Sequence, residues 1–237
     1  MVGVIRRSTL REQLADALRE EILAGRLAPG REFTVRQIAE QYGVSATPVR
    51  EALLDLAAQG LLHAEQHRGF RIREYTLTDF RHMVQARSLV NEGVLLYNPA
   101  LRLPRGDPAA FTSIRRRAAA AHQAAAAGDL DVLIGYDLRF WREVTALIGN
   151  PYIGEFLDRL RIQCWAYAVP RLRGRPDLPR LLWARHPELA EALGERDAGA
   201  AAALLRDFRD HALTLAAEID REAAEAAGRP DTGAAGA

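Results

Sequence analysis

The stretch SATPVR, residues 45–50, gathers two hydroxyls, a proline and a guanidinium at the head of an apolar-periodic segment. A guanidinium near the start of a helix can fork onto guanine O6 and N7 or clamp a phosphate. The hydroxyls of Ser45 and Thr47 can bond phosphate oxygens, helped by the unpaired N–H groups of a helix N-terminus. Val49, Leu53 and Leu56 recur on one helical face, which leaves Thr47 and Arg50 on the other. Arg36, upstream, and Arg68, in the polar triplet His67-Arg68-Gly69, can reach the same surface. The alternative for Arg50 is a surface ion pair with Glu51 or Asp55, with Ser45 acting only as a cap. The ordered set favours a nucleic-acid phosphate and base edge over that pairing.

Positioning these groups requires a compact helical unit. Leu14, Leu18 and Ile22 predict a helix over about residues 8–24, and LAPG at 27–30 turns the chain. Thr34 followed by Gln37 has the spacing of a capping box and opens a second helix. Gly43 suits its left-handed end, and Ser45 is the N-cap of a third helix. Pro48 falls in that helix's first turn, where its missing N–H costs nothing, and Gly60 closes it. Two short helices across a tight turn make a helix-turn-helix. LLHAEQHRGFRIREY then alternates around its polar tip as a β-hairpin wing, giving a winged helix-turn-helix over 1–76.

Beyond Tyr75, Thr78 is the expected cap of a helix carrying Phe80, Met83, Arg87 and Val90. Helical patterns follow at roughly 108–127, 129–148, 151–168, 178–195 and 197–226, and none of this region reads as strand. The expectation is a mainly α protein whose second domain, 77–226, is an antiparallel all-α bundle of six or seven helices. Residues 227–237, ending GRPDTGAAGA, read as a disordered tail.

Composition narrows the chemistry. All 32 basic residues are arginine, so a phosphate-binding loop lysine and a lysine Schiff base are both absent. No GxSxG, HExxH or strand-linked GxGxxG occurs, and the chain is not read as an enzyme. Cys164 is the sole cysteine and reads as a small buried hydrophobe. The net charge of +1 announces no partner, so the placement of arginines must do so. The absence of a long apolar run or a leader-like N-terminus points to a cytoplasmic protein with no membrane partner.

The segment LREQLADALREEILAGRLAPGREFTVRQIAEQYGVSATPVREALLDLAAQGLLHAEQHRGFRI resembles the DNA-binding domain of GntR-type bacterial transcription regulators. The resemblance implies that Arg36, Ser45, Thr47, Pro48, Arg50, His67, Arg68 and Gly69 approach operator DNA. Ala46 stands where some members carry arginine. TLTDFRHMVQARSL, YDLRFWREVTALIGNPYI and RHPELAEALGERDAGAAAALL resemble the helical FCD domain of the FadR subfamily. Many such domains hold a divalent metal through one Asp and three His. Here Asp137 and His186 match, while Trp141 and Phe208 replace two imidazoles, which neither ring can do as a ligand. His211, one turn past Phe208, leaves a three-ligand Asp137–His186–His211 site as an option; otherwise His186 caps or lines a pocket and His211 is an ordinary helix residue. No cofactor is expected. The resemblance implies a homodimeric regulator, commonly a repressor, with a small-molecule effector held among Arg87, Asp137, Trp141, His186, Phe208 and His211. Arg87 would clamp an acidic effector such as a carboxylic acid, in a cavity made more apolar by the two rings; the alternative for Arg87 is a surface or interhelical ion pair. Tyr136, Asn150 and Gln163 are weaker candidates. The rival readings are a metal-dependent hydrolase using Asp137, His186 and His211, and a winged-helix module for a protein partner.

Overall fold

The computed structural model describes residues 9–65, 68–97 and 108–227. Its first helix, α1 (Leu10–Leu23), starts at a reciprocal capping box between Thr9 and Glu12. Next come β1 (Glu32–Phe33), α2 (Val35–Tyr42), α3 (Ala46–Ala58) and the hairpin strands β2 (Leu62–Glu65) and β3 (Gly69–Ile72). Thr34 and Gln37 form the expected capping box on α2, and Gly43 ends that helix in the left-handed region at φ 65°. Leu14, Leu18, Ile38, Val49, Leu53, Leu56, Phe70 and Ile72 close one core between the three helices and the wing. The alternation of β3 sends Phe70 and Ile72 inward and Arg71 outward, as its period of two requires.

The strand β1 is an addition to the expected hairpin. It pairs antiparallel with the free edge of β3, matching Phe33 to Phe70, and makes a three-stranded sheet of order β1-β3-β2. Gly69 makes that approach feasible. Its φ is +108°, and a Cβ there would meet the Phe33 carbonyl oxygen at 2.4 Å.

Among the described residues seven helices follow: α4 (Leu77–Tyr97), α5 (Pro108–Ala127), α6 (Leu130–Ala146), α7 (Pro151–Leu172), α8 (Leu178–Leu181), α9 (His186–Gly194) and α10 (Ala198–Ala227). Three details differ from expectation. Thr76 caps α4 in place of Thr78, exchanging hydrogen bonds with Asp79. The segment 178–195 is broken into α8 and α9 because Pro187, lacking an N–H, could not bond the Trp183 carbonyl and would crowd it. Conversely α7 runs through Pro170, which lies exposed in its last turn while Arg173 N bonds the Val169 carbonyl beyond it. The tail at 228–237 lies outside the described residues.

The bundle and the winged unit are joined along α7. Ile162 belongs to the winged core, and Leu23 of α1 packs into the bundle core. Gln163 Nε2 donates to the Gln59 carbonyl at the end of α3 (2.7 Å), and Tyr75 Oη donates to the Gly60 carbonyl (2.6 Å). A side chain at Gly60, whose φ is +81°, would meet Gln163 Nε2 at 2.4 Å. These bonds fix the far end of α3 to the wall of the second domain.

Candidate nucleic-acid interface and buried cavity

An open groove runs between α2, the head of α3 and the wing, with Arg36, Gly43, Arg50, Leu54, Arg68 and Gly69 among its walls. Arg50 is exposed and has no ion pair among the described residues, with Glu51 or with Asp55; Asp55 pairs with Arg11 at 3.4 Å. Arg68 is likewise exposed and without a carboxylate partner among them. Arg36 reaches Glu40 at 2.7 Å, but both side chains are well exposed, so the pair is weak and easily exchanged for an external anion. Glu65 is taken up by Arg71 at 2.7 Å. The two acids nearest the groove are therefore already neutralised, and Arg50 and Arg68 are left to set its sign.

Ser45 occupies the N-cap of α3, yet its side chain makes no cap bond there, so the hydroxyl is free for another acceptor or donor. Thr47 is exposed and Pro48 half-buried on the first turn, beside the groove wall. His67 lies outside the described residues. Ala46 does line the groove, with a methyl that can read no hydrogen-bonding edge.

The second site is a cavity of about 90 Å³ inside the bundle. Its polar centre is Asp137 on α6, only 2 % exposed. One carboxylate oxygen accepts from Trp141 Nε1 (2.9 Å) and from His186 Nε2 (3.0 Å), and the other from Trp165 Nε1 (2.7 Å). Arg161 Nη1 stands 3.7 Å from the second oxygen. Burial alone would push this carboxyl up, but Arg161 and the donors of His186 and Trp165 hold it down to about 2. Burial also disfavours the Arg161 guanidinium, bringing it down to about 9, and Asp137 offsets only part of that loss.

The cations here are sandwiched by rings. Arg161 lies 3.9 Å above Trp141, Arg87 lies 4.6 Å from the Phe208 centroid, and Trp141 stacks on Phe208 at 5.3 Å. Arg87, Asp137, His186, Phe208 and His211 line the cavity, as do Arg161, Trp165 and Trp183. Trp141 does not line it; that residue sits behind Asp137 as a hydrogen-bond donor.

A divalent metal does not fit this donor set. Asp137 is filled by three N–H donors, His186 turns Nε2 to that same carboxylate, and His211 Nε2 bonds the Leu181 carbonyl at 2.9 Å. Among the described residues no group of three or more His, Cys, Asp or Glu could hold a metal ion. In this arrangement the Asp137 carboxylate has the Arg161 guanidinium beside it, and His211 turns to the α8 carbonyl rather than to Asp137. Of the weaker candidates, Asn150 caps α7, Tyr136 lies beside Arg139, and Gln163 holds α3.

Arg161 was absent from the expected site although a signal existed. Leu157, Arg161, Cys164 and Ala168 recur at helical spacing, so the arginine stands on the buried stripe of its own helix. Trp165 and Trp183, each with an indole N–H on an aspartate, were equally missed.

These features define a winged helix-turn-helix protein with a helical second domain. The sequence carries the match that such an architecture suggests: the bacterial regulatory proteins of the gntR family match residues 10–72, and the FCD domain matches 100–211. The chain thus carries a GntR helix-turn-helix domain followed by an FCD domain. It is 42% identical over 88 residues to a probable D-xylose utilization operon transcriptional repressor of Paenarthrobacter nicotinovorans, covering 37% of this chain and 38% of that protein. Against the transcriptional regulator McbR of Escherichia coli it is 24% identical over 161 residues, 68% of this chain and 71% of that one. The matches span only about a third of the length of the first curated relatives. In fold, it is similar to the solved McbR/YncC structure (TM-score 0.72, 21% identity, 90% and 99% coverage). A GntR regulator from Rhodococcus is similar at TM-score 0.68, 22% identity, with 89% and 99% covered.

Proposed function

We propose that the chain is a DNA-binding transcription regulator, acting as a repressor, whose operator affinity is changed by a small molecule in the bundle cavity. The observation that carries this reading is the groove in which Arg50 and Arg68 stand exposed, without an ion pair among the described residues, beside Arg36. Arg50, Ser45 and Thr47 at the head of α3 contact the operator, and Arg68 on the wing with Gly69 at its base engages the adjacent backbone. Pro48 presets the first turn, and His67 belongs to the same wing contact.

The protein acts in the cytoplasm as a homodimer, so that two winged units meet half-sites about one helical turn apart. Support for effector control comes from α7. Arg161 and Trp165 on this helix touch Asp137, whereas Ile162 and Gln163 touch the winged unit. A shift of α7 on ligand binding therefore moves the anchor of α3. No catalytic role is assigned, because Asp137 and His186 are spent on each other and on indole N–H groups.

Selection of bound fragments from genomic DNA, followed by mobility-shift titration, tests the reading. Enrichment of a two-fold sequence bound by two copies is the expected result. Failure to enrich any sequence, together with capture of a protein partner through the winged surface, would replace it with the interaction-module reading.

A further inference from the structure

The groove between α2, α3 and the wing holds an apolar side chain that the fold does not use. Leu54 is 50 % exposed and lines the groove, yet it is outside the core that Val49, Leu53 and Leu56 build on the buried side of α3. It follows Ala46 and Arg50 at intervals of four residues, so the three stand in one row along the helix. Ala46 and Arg50 are exposed and line the same groove. Ala64 of β2 joins them: it shares a strand face with the buried Leu62, opposite His63, and stands exposed in the groove wall. A lone exposed leucine on a surface asks for no explanation. This one lies in line with an arginine, in a groove that carries Arg36, Arg50 and Arg68 and whose acids, Glu40 and Glu65, are already paired. Among the described residues the other large apolar side chains that stand exposed, Leu10, Leu89, Val132 and Tyr152, are not in its walls.

We infer that Leu54 is a specificity-determining residue that packs on the C5-methyl group of a thymine in the operator. The inference rests on the DNA-binding reading of this groove and deepens it by assigning a base. A phosphate gains nothing from a leucine, and a base edge gains only where it carries an apolar group. In the major groove of B-DNA that group is the thymine methyl, because the reading edges of the other three bases are hydrogen-bond donors and acceptors. The leucine therefore separates T·A from both A·T and C·G without making a hydrogen bond. The arginines supply the charge that holds the backbone, and this contact supplies sequence. Arg50 and Leu54 are separated by about 6 Å along α3 at the helical rise per residue, and successive base pairs by about 3.4 Å. The thymine accordingly lies within about two base pairs of the position that Arg50 meets.

The test replaces thymines by deoxyuridine, one at a time, in a DNA fragment that the wild-type full chain selects, and reads affinity by mobility shift at fixed salt. Uracil keeps every hydrogen-bonding group of thymine and lacks only the methyl. Leaving one such methyl unburied corresponds to about a 4-fold fall in affinity. Wild type should show that fall at one thymine in each half of a two-fold site. In Leu54→Ala the same position should become indifferent to the methyl. Leu54→Met keeps an apolar side chain of similar volume and should restore the sensitivity. Both variants should melt as wild type does, because residue 54 lies outside the core. The inference is overturned if no thymine responds in wild type, or if the response persists in Leu54→Ala. It is equally overturned if Leu54→Ala weakens every sequence alike, non-specific DNA included, which would mark a backbone contact, or if that variant melts early, which would mark a structural role. A wild-type chain that binds no DNA sinks the regulator reading and this one together. A chain that binds a selected sequence with no methyl effect sinks this one alone.

Discussion

Arginine is used in opposite ways in the two regions. In the groove, Arg50 and Arg68 stand in water and need no partner, because solvent already stabilises the charge. In the cavity, Arg161 and Arg87 are almost wholly buried, Arg161 beside a carboxylate and both against aromatic faces. The groove can be emptied of its partner at little cost to folding, whereas the cavity ties folding and occupancy together. Mutations in the first should change binding and spare stability. Those in the second should change stability first.

The sharpest way to break that contrast is at Asp137. Asp137→Ala strands Arg161 and orphans the N–H groups of Trp141, Trp165 and His186, and should cost about 3–5 kcal/mol in denaturant unfolding. A near-neutral effect would mean that the buried network is not the keystone of the bundle. The same carboxyl, held at about 2 when folded against about 3.9 unfolded, gives stability that is fully present above the unfolded value. That contribution should fade as pH drops from about 4 through about 2, and Asp137→Asn should flatten this acid limb of the stability curve.

Arg50→Ala should have the complementary phenotype. Operator affinity should fall by about 1–3 kcal/mol in a mobility-shift titration at fixed salt, with unfolding unchanged. Loss of stability with unchanged affinity would reverse the roles assigned to the two regions.

A smaller effect belongs to the joint between them. Gln163→Ala removes the donor to the Gln59 carbonyl and should cost about 1 kcal/mol. Amide hydrogen exchange should report faster opening at the C-terminal end of α3, near Gln59. Unchanged protection there would separate α7 from the recognition helix and remove the proposed route between the sites.

Much of the first region was legible because its signals are local. The Thr34–Gln37 box, Gly43 and the alternation of Phe70 and Ile72 depend on neighbours a few residues away. The short β1 was not legible, since two residues carry no pattern and gain their identity only from β3. In the second region, the helices announced themselves by period, but the site did not. Asp137 is surrounded by residues 4, 24, 28 and 49 positions distant, brought together only by packing, and Arg161 reads like any surface charge unless its stripe is traced. Pro187 was a visible signal for the break before α9, and its missing N–H was the clue.

The most direct test of the account is the salt dependence of DNA binding, measured on fragments that the protein itself selects. Each phosphate neutralised contributes a slope of about −0.9 in log affinity against log salt, and six to ten contacts from a dimer would cost about 10³–10⁵-fold between 50 and 200 mM. The account predicts a steep line of that order for wild type, and a visibly shallower one for a variant lacking Arg36, Arg50 and Arg68. A flat line for wild type, or an equal slope after removal of those three arginines, would contradict the claim that this groove is where the protein meets DNA.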